Sequence, residues 1–104
     1  MVECQISIHN YQDILNYVTK TLSQVERLRH DCSQLSSELL TRSGQPCGVY
    51  FCLEGPRELR LTAIWETDSN TILFYDSRGE RLQKTRLLDP PLKLQALKSQ
   101  VLAA

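Results

Sequence analysis

Residues 59 to 75 set apolar side chains at every second position and then abandon the alternation. Leu59, Leu61, Ala63 and Trp65 fall on one side of an extended chain; Arg60, Thr62 and Glu66 fall on the other, with Ile64 among them. Asp68-Ser69-Asn70 reads as a turn, and Thr71 is then followed by four large apolar residues in a row, Ile72-Leu73-Phe74-Tyr75. A strand of that kind needs cover on both faces, or it leaves one face as a contact surface. The chain is therefore expected to build a sheet with at least one helical layer.

The neighbouring segments extend this sheet. Cys47, Val49, Phe51 and Leu53 alternate with Tyr50 and Cys52, and Glu54-Gly55-Pro56 makes a turn into the next strand. Asp76-Ser77-Arg78-Gly79 has the leading acceptor and closing glycine of a type I turn with a bulge. A last strand at about residues 80–87 carries Leu82 and Leu87 among Arg and Lys, the composition of a sheet edge. Four strands in an antiparallel meander result. Asp89-Pro90-Pro91 then starts a terminal helix with Leu94, Leu97 and Val101 as its apolar stripe.

The N-terminal part mixes both periodicities. Val2, Cys4, Ile6 and Ile8 alternate with polar residues, which predicts a half-buried edge strand. Asn10 with Asp13 is a helix start, and Ile14, Leu15, Val18 and Leu22 recur at helical spacing over residues 11–22. Val25, Leu28, Cys32, Leu35 and Leu39 continue the stripe towards Leu40. One long helix is one reading. The two box-like pairs, Ser23 with Glu26 and Asp31 with Gln34, favour a second helix after a break within residues 23–31, ending at Thr41-Arg42-Ser43-Gly44. The expected fold is α+β over a single domain, residues 1–104: a strand, two helices, a four-stranded antiparallel meander and a C-terminal helix, with the first strand available as a fifth.

Charge and cysteine content narrow the function classes. Twelve basic residues balance twelve acidic ones, so no net field draws the chain to nucleic acid or anionic lipid. No apolar run nears the roughly 20 residues of a membrane span, and the first residues do not resemble a signal peptide. Cytoplasmic location with four reduced thiols, Cys4, Cys32, Cys47 and Cys52, is expected. Cys47 and Cys52 lie within one strand rather than on a metal-binding turn, so neither they nor His30-Asp31-Cys32 suggest zinc. No cofactor and no catalytic residue is assigned; the carboxylates at strand ends, Glu54, Glu58, Glu66, Asp68 and Asp76, are ordinary for turns. The candidate ligand-binding residues are Arg57 at the Gly55-Pro56 corner, Trp65, Asp76 and Arg81.

Gly55-Pro56-Arg57, Ile64-Trp65, Ile72-Leu73-Phe74-Tyr75-Asp76-Ser77 and Gly79 with Arg81 give the C-terminal half a pattern that resembles small uncharacterised proteins of planctomycete-type bacteria. The resemblance implies a bacterial, cytosolic setting and carries no activity or ligand. The sequence thus leads to a non-enzymatic protein-interaction or self-association module, a homodimer or the partner of another protein. Its interface residues would be Ile72, Phe74, Leu94, Leu97 and Val101. The alternative is an anionic-ligand or nucleic-acid binder using the basic hairpin, with Arg57, Arg81 and Arg86 as its cations.

Overall fold

The computed structural model describes residues 2–25, 34–55 and 59–88. In chain order these form β1 (Val2–Ile6), α1 (Tyr11–Val25), β2 (Gln34–Arg42), β3 (Gln45–Glu54), β4 (Arg60–Glu66), β5 (Thr71–Tyr75) and β6 (Arg81–Leu87). The strands make one sheet in the order β1-β6-β5-β4-β3-β2. β1 pairs with β6 in parallel, and every other neighbouring pair is antiparallel.

The expected two helices and four-stranded meander are corrected by this architecture: the described residues hold one helix and a six-stranded mixed sheet. Residues 34–42, expected in a second helix, form β2 and pair antiparallel with β3. Leu35 and Leu39 are four apart, which suits a helix, but with Ser37 between them they also satisfy period two. Ser43 and Gly44, expected to cap that helix, have φ of 53° and 78° and instead turn the β2–β3 hairpin. Two successive left-handed residues suit the type I′ turn, whose twist matches the paired strands. β6 is also not an edge, because β1 adds to its outer side. The proposed C-terminal helix, with Leu94, Leu97 and Val101, lies outside the described residues, as does Arg57.

Other expectations hold. Asn10 Oδ1 accepts the Asp13 amide at 2.9 Å, and Asp13 Oδ2 accepts the His9 amide at 3.2 Å, so two backbone donors at the start of α1 are satisfied reciprocally. At the β5–β6 turn Asp76 Oδ1 accepts the amides of Arg78 and Glu80, both at 2.9 Å, and Gly79 takes φ of 82°. The bulge there shifts the register between Phe74 and Tyr75.

α1 lies on one face of the sheet. Tyr11, Ile14, Val18 and Leu22 are buried against a layer containing Val49, Phe51 and Leu53 of β3, Leu61, Ala63 and Trp65 of β4, Ile72 and Phe74 of β5 and Leu87 of β6. Burying each large apolar side chain here contributes about 1.5–3 kcal/mol. Tyr17 meets Phe74 edge to face with ring centroids 5.9 Å apart. Its hydroxyl bonds Thr85 Oγ1 at 2.9 Å, and Gln83 Nε2 donates to both oxygens at 2.9 Å. This closes a polar contact between α1 and β6 around the fully buried Thr85. Among the described residues no helix is long and apolar enough to cross a membrane.

Burial pushes the Tyr11 hydroxyl above its ordinary value of 10.0, while the nearby Ser37 side chain on β2 opposes the shift more weakly; among the described residues the hydroxyl finds no donor or acceptor within hydrogen-bonding distance. A phenol whose folded value is raised stabilises the fold fully below its unfolded value and loses that contribution as pH rises through the folded one. Melting temperature is therefore expected to fall on an alkaline limb starting at about pH 10, and Tyr11→Phe is expected to make that limb shallower. Thermal melts of both proteins across that range check this; limbs of equal steepness would show that Tyr11 does not carry it.

Candidate interaction surface

Directly paired residues share a face of the sheet. The strand register therefore writes out the face turned away from α1. One row across the six strands reads Glu38, Tyr50, Ile64, Leu73, Lys84, Glu3. The row on one side of it reads Leu40, Gly48, Glu66, Thr71, Arg86, Gln5; the row on the other begins Ser36, Cys52, Thr62, Tyr75, with Arg81 opposite Tyr75 across the bulge. The centre is aromatic and aliphatic. Glu38, Glu54 and Glu66 lie on β2, β3 and β4, with Arg60 beside Glu54; Arg81, Lys84 and Arg86 lie on β6, and Glu3 on β1 sits next to Lys84. Leu73 and Cys52 are buried, while Tyr50, Ile64 and Tyr75 are half-buried. An apolar centre with a polar rim is the anatomy of a protein contact surface.

The charged rim is partly engaged within the chain. Arg81 Nη2 donates to the Tyr75 hydroxyl at 3.2 Å, and its guanidinium carbon sits 5.6 Å from the Tyr75 ring centroid. A stack of that kind on the surface is worth about 0.5–1 kcal/mol. Arg60 Nε lies 3.8 Å from Glu54 Oε1, with both side chains well exposed, so the pair adds little stability. Burial raises the Tyr50 hydroxyl above its ordinary value; the nearby Cys52 and Glu38 add to the shift and Arg60 opposes it. Cys52 is raised in the same way, by burial first and then by Glu54, against Arg60. Both groups are thus held neutral at ordinary pH, and Cys52 lacks the thiolate character a nucleophile needs.

The residues singled out from the sequence do not converge. Trp65 is 0% exposed in the core under α1, and Asp76 is committed to its turn amides. Arg81 stacks on Tyr75 at the same hairpin. Ile72 and Phe74 are both 0% exposed on the helix side, so on β5 the positions facing away from α1 are Thr71, Leu73 and Tyr75. Two of the other carboxylates at strand ends have local partners: Glu66 accepts from Ser69 at 3.3 Å and Glu54 faces Arg60. Among the described residues no three His, Cys, Asp or Glu side chains gather as a metal site.

Two shallow depressions mark this surface. One is lined by Glu3, Cys4, Gln5, Lys84 and Arg86 along the β1–β6 pair. The other lies over Gly48, with Leu40, Cys47, Ile64 and Glu66 around it. Cys47 is the extra residue where the β2–β3 register shifts, since Leu40 pairs with Gly48 and Thr41 with Pro46. That bulge breaks the regular pairing that Val49, Phe51 and Leu53 follow, and Cys47 is among the residues that line the depression. Sequence reading missed the contribution of β2, namely Ser36, Glu38 and Leu40. The alternation of Leu35, Ser37 and Leu39 before Ser43-Gly44 is the signal that marks it. Comparison of the chain with protein-family models, with curated proteins and with solved structures gives no match.

Proposed function

We propose that this chain is a non-enzymatic interaction module of the bacterial cytoplasm that associates with a second copy of itself. The observation that carries the reading is the row Tyr50, Ile64, Leu73, with charges at both ends, on the sheet face away from α1. The chain's balanced charge, twelve basic and twelve acidic residues, lets two copies approach without net repulsion. Cys4, Cys47 and Cys52 are free thiols, which suits a reducing compartment. The local partners of Glu54, Glu66 and Asp76 supply structural roles for carboxylates that an enzyme would need elsewhere.

Native mass spectrometry and sedimentation of the full chain over a dilution series test the reading. The expected result is a dimer that dissociates on dilution. A monomer at every concentration overturns self-association. Lys84 and Arg86 in one groove favour a second reading, an anionic ligand or nucleic acid bound along β6. Binding of that kind weakens steeply with added salt, whereas an apolar protein contact does not.

A further inference from the structure

We infer that residues 89–104 of the chain cover the sheet face turned away from α1 and compete there with the second copy, so that the chain limits its own association. The competition rests on the self-association reading; the contact itself does not. On β5 Thr71 is 5% and Leu73 8% exposed, and Cys52 on β3 is 8% exposed, although all three stand on the face opposite α1. Leu73 and Cys52 fall outside the core cluster beneath the helix. Neighbouring strands do not account for this burial. Ile64 has Tyr50 and Leu73 beside it in the same row and is only half-buried, whereas Leu73 has the exposed Lys84 on one side and is buried. Cover over β5 has to come from the chain itself. Of its segments outside the described residues, 26–33 and 56–58 are mostly charged or polar, and 89–104 is the apolar one.

The chain leaves the sheet beside this spot. The Leu88 amide donates to the Ile6 carbonyl at 2.9 Å, and Arg86, two positions earlier, pairs with Thr71. Leu87 is buried under α1, so the next side chain, Leu88, points to the other face and is 58% exposed. Asp89-Pro90-Pro91 follows, and two prolines cannot continue a ladder. At helical spacing Leu94, Leu97 and Val101 share one side with Lys93 and Lys98 flanking them, and no acidic residue follows Asp89. A helix over residues 92–102 is about 16 Å long, and β6 to β3 spans about 14 Å, so the stripe is long enough to cross Leu73 and Ile64. Charge suits that direction: Asp89 starts beside Arg86 of β6, and the two lysines run towards Glu66 and Glu38.

Carbodiimide cross-linking of the full chain, diluted until monomeric, reads the contact directly, because the reagent joins amines and carboxylates already in touch. Bonds from Lys93 or Lys98 to Glu38 or Glu66 within one chain are expected. Mixing isotope-labelled and unlabelled chains separates these from bonds between copies. Bonds between copies only, or none from either lysine to the face, would overturn the inference. Maleimide labelling of the buried Cys52 is the second measurement. Leu97→Asp is expected to speed it about tenfold, while Cys4, which pairs with Thr85 on the α1 side, keeps its parental rate. Leu92→Asp, opposite the stripe, should change neither. Equal Cys52 rates in the parent and Leu97→Asp, or equal acceleration by both variants, would also overturn the contact. In the dilution series the freed face of Leu97→Asp should tighten the dimer about tenfold. A variant that exposes Cys52 yet dimerises no better removes the competition. Monomers of parent and variant at every concentration remove the self-association reading and leave the contact standing.

Discussion

Trp65→Ala is expected to lower the unfolding free energy by about 3–5 kcal/mol, the range for deleting a fully buried aromatic side chain. The indole is 0% exposed, and across the sheet its residue pairs with Val49 on β3 and Ile72 on β5, both also fully buried. Its Nε1–H donates to Asn70 Oδ1 at 3.4 Å. Asn70 occupies a left-handed conformation, φ 51°, in the β4–β5 turn, and its side-chain amide donates to the Leu87 carbonyl at 3.3 Å. Losing the indole therefore empties the centre of the helix-side layer and loosens a turn that also ties down the end of β6. Domains of this size have about 5–15 kcal/mol in total, so the loss is a large part of the fold's stability. Trp65→Phe retains most of the apolar volume and is expected to lose much less. Denaturant unfolding of the three proteins provides the comparison. An alanine variant within about 1 kcal/mol of the parent would place the indole outside the core and return Trp65 to the candidate ligand residues.

Gly48→Ala is the second large effect, and it arises from backbone contact. A Cβ at this position would stand 2.5 Å from the Trp65 carbonyl oxygen. That oxygen belongs to the neighbouring strand, where Gly48 pairs with Glu66 and Val49 with Trp65, so it cannot retreat without disturbing the ladder. Overpacking of this kind costs about 1–3 kcal/mol, and a backbone obstacle places the expectation at the upper end. Urea unfolding should show a lower midpoint with an unchanged slope. A neutral Gly48→Ala would mean that β3 and β4 lie further apart here than their register indicates.

Both positions bear on how far the amino-acid order alone leads. The segment from Val49 to Tyr75 is legible because its apolar residues alternate and its turns contain Asp, Asn and Gly at positions that need them. Leu61, Ala63 and Trp65 do face the core, and Asp76 with Gly79 does shape the last hairpin. The helix start at Asn10 and Asp13 is equally local, since the capping groups are three residues apart. The unbroken apolar run from Ile72 to Tyr75 divides between the two faces of the sheet in the same way. Ile72 and Phe74 go under α1, while Leu73 and Tyr75 stand in the middle of the opposite face.

Residues 34–42 mark the limit. Their leucines fit a helical and an extended period equally well, and local propensity has no means of choosing between them. The choice comes from hydrogen bonding to β3 through a turn whose two left-handed residues would also suit a helix end. The placement of β1 beside β6 is likewise invisible locally, because parallel partners some eighty residues apart share no turn to announce their register. Alternation and turn chemistry act over a few residues and are written in the chain; pairing partners, edge positions and the surface they create depend on which distant strands meet, and are settled when the sheet assembles.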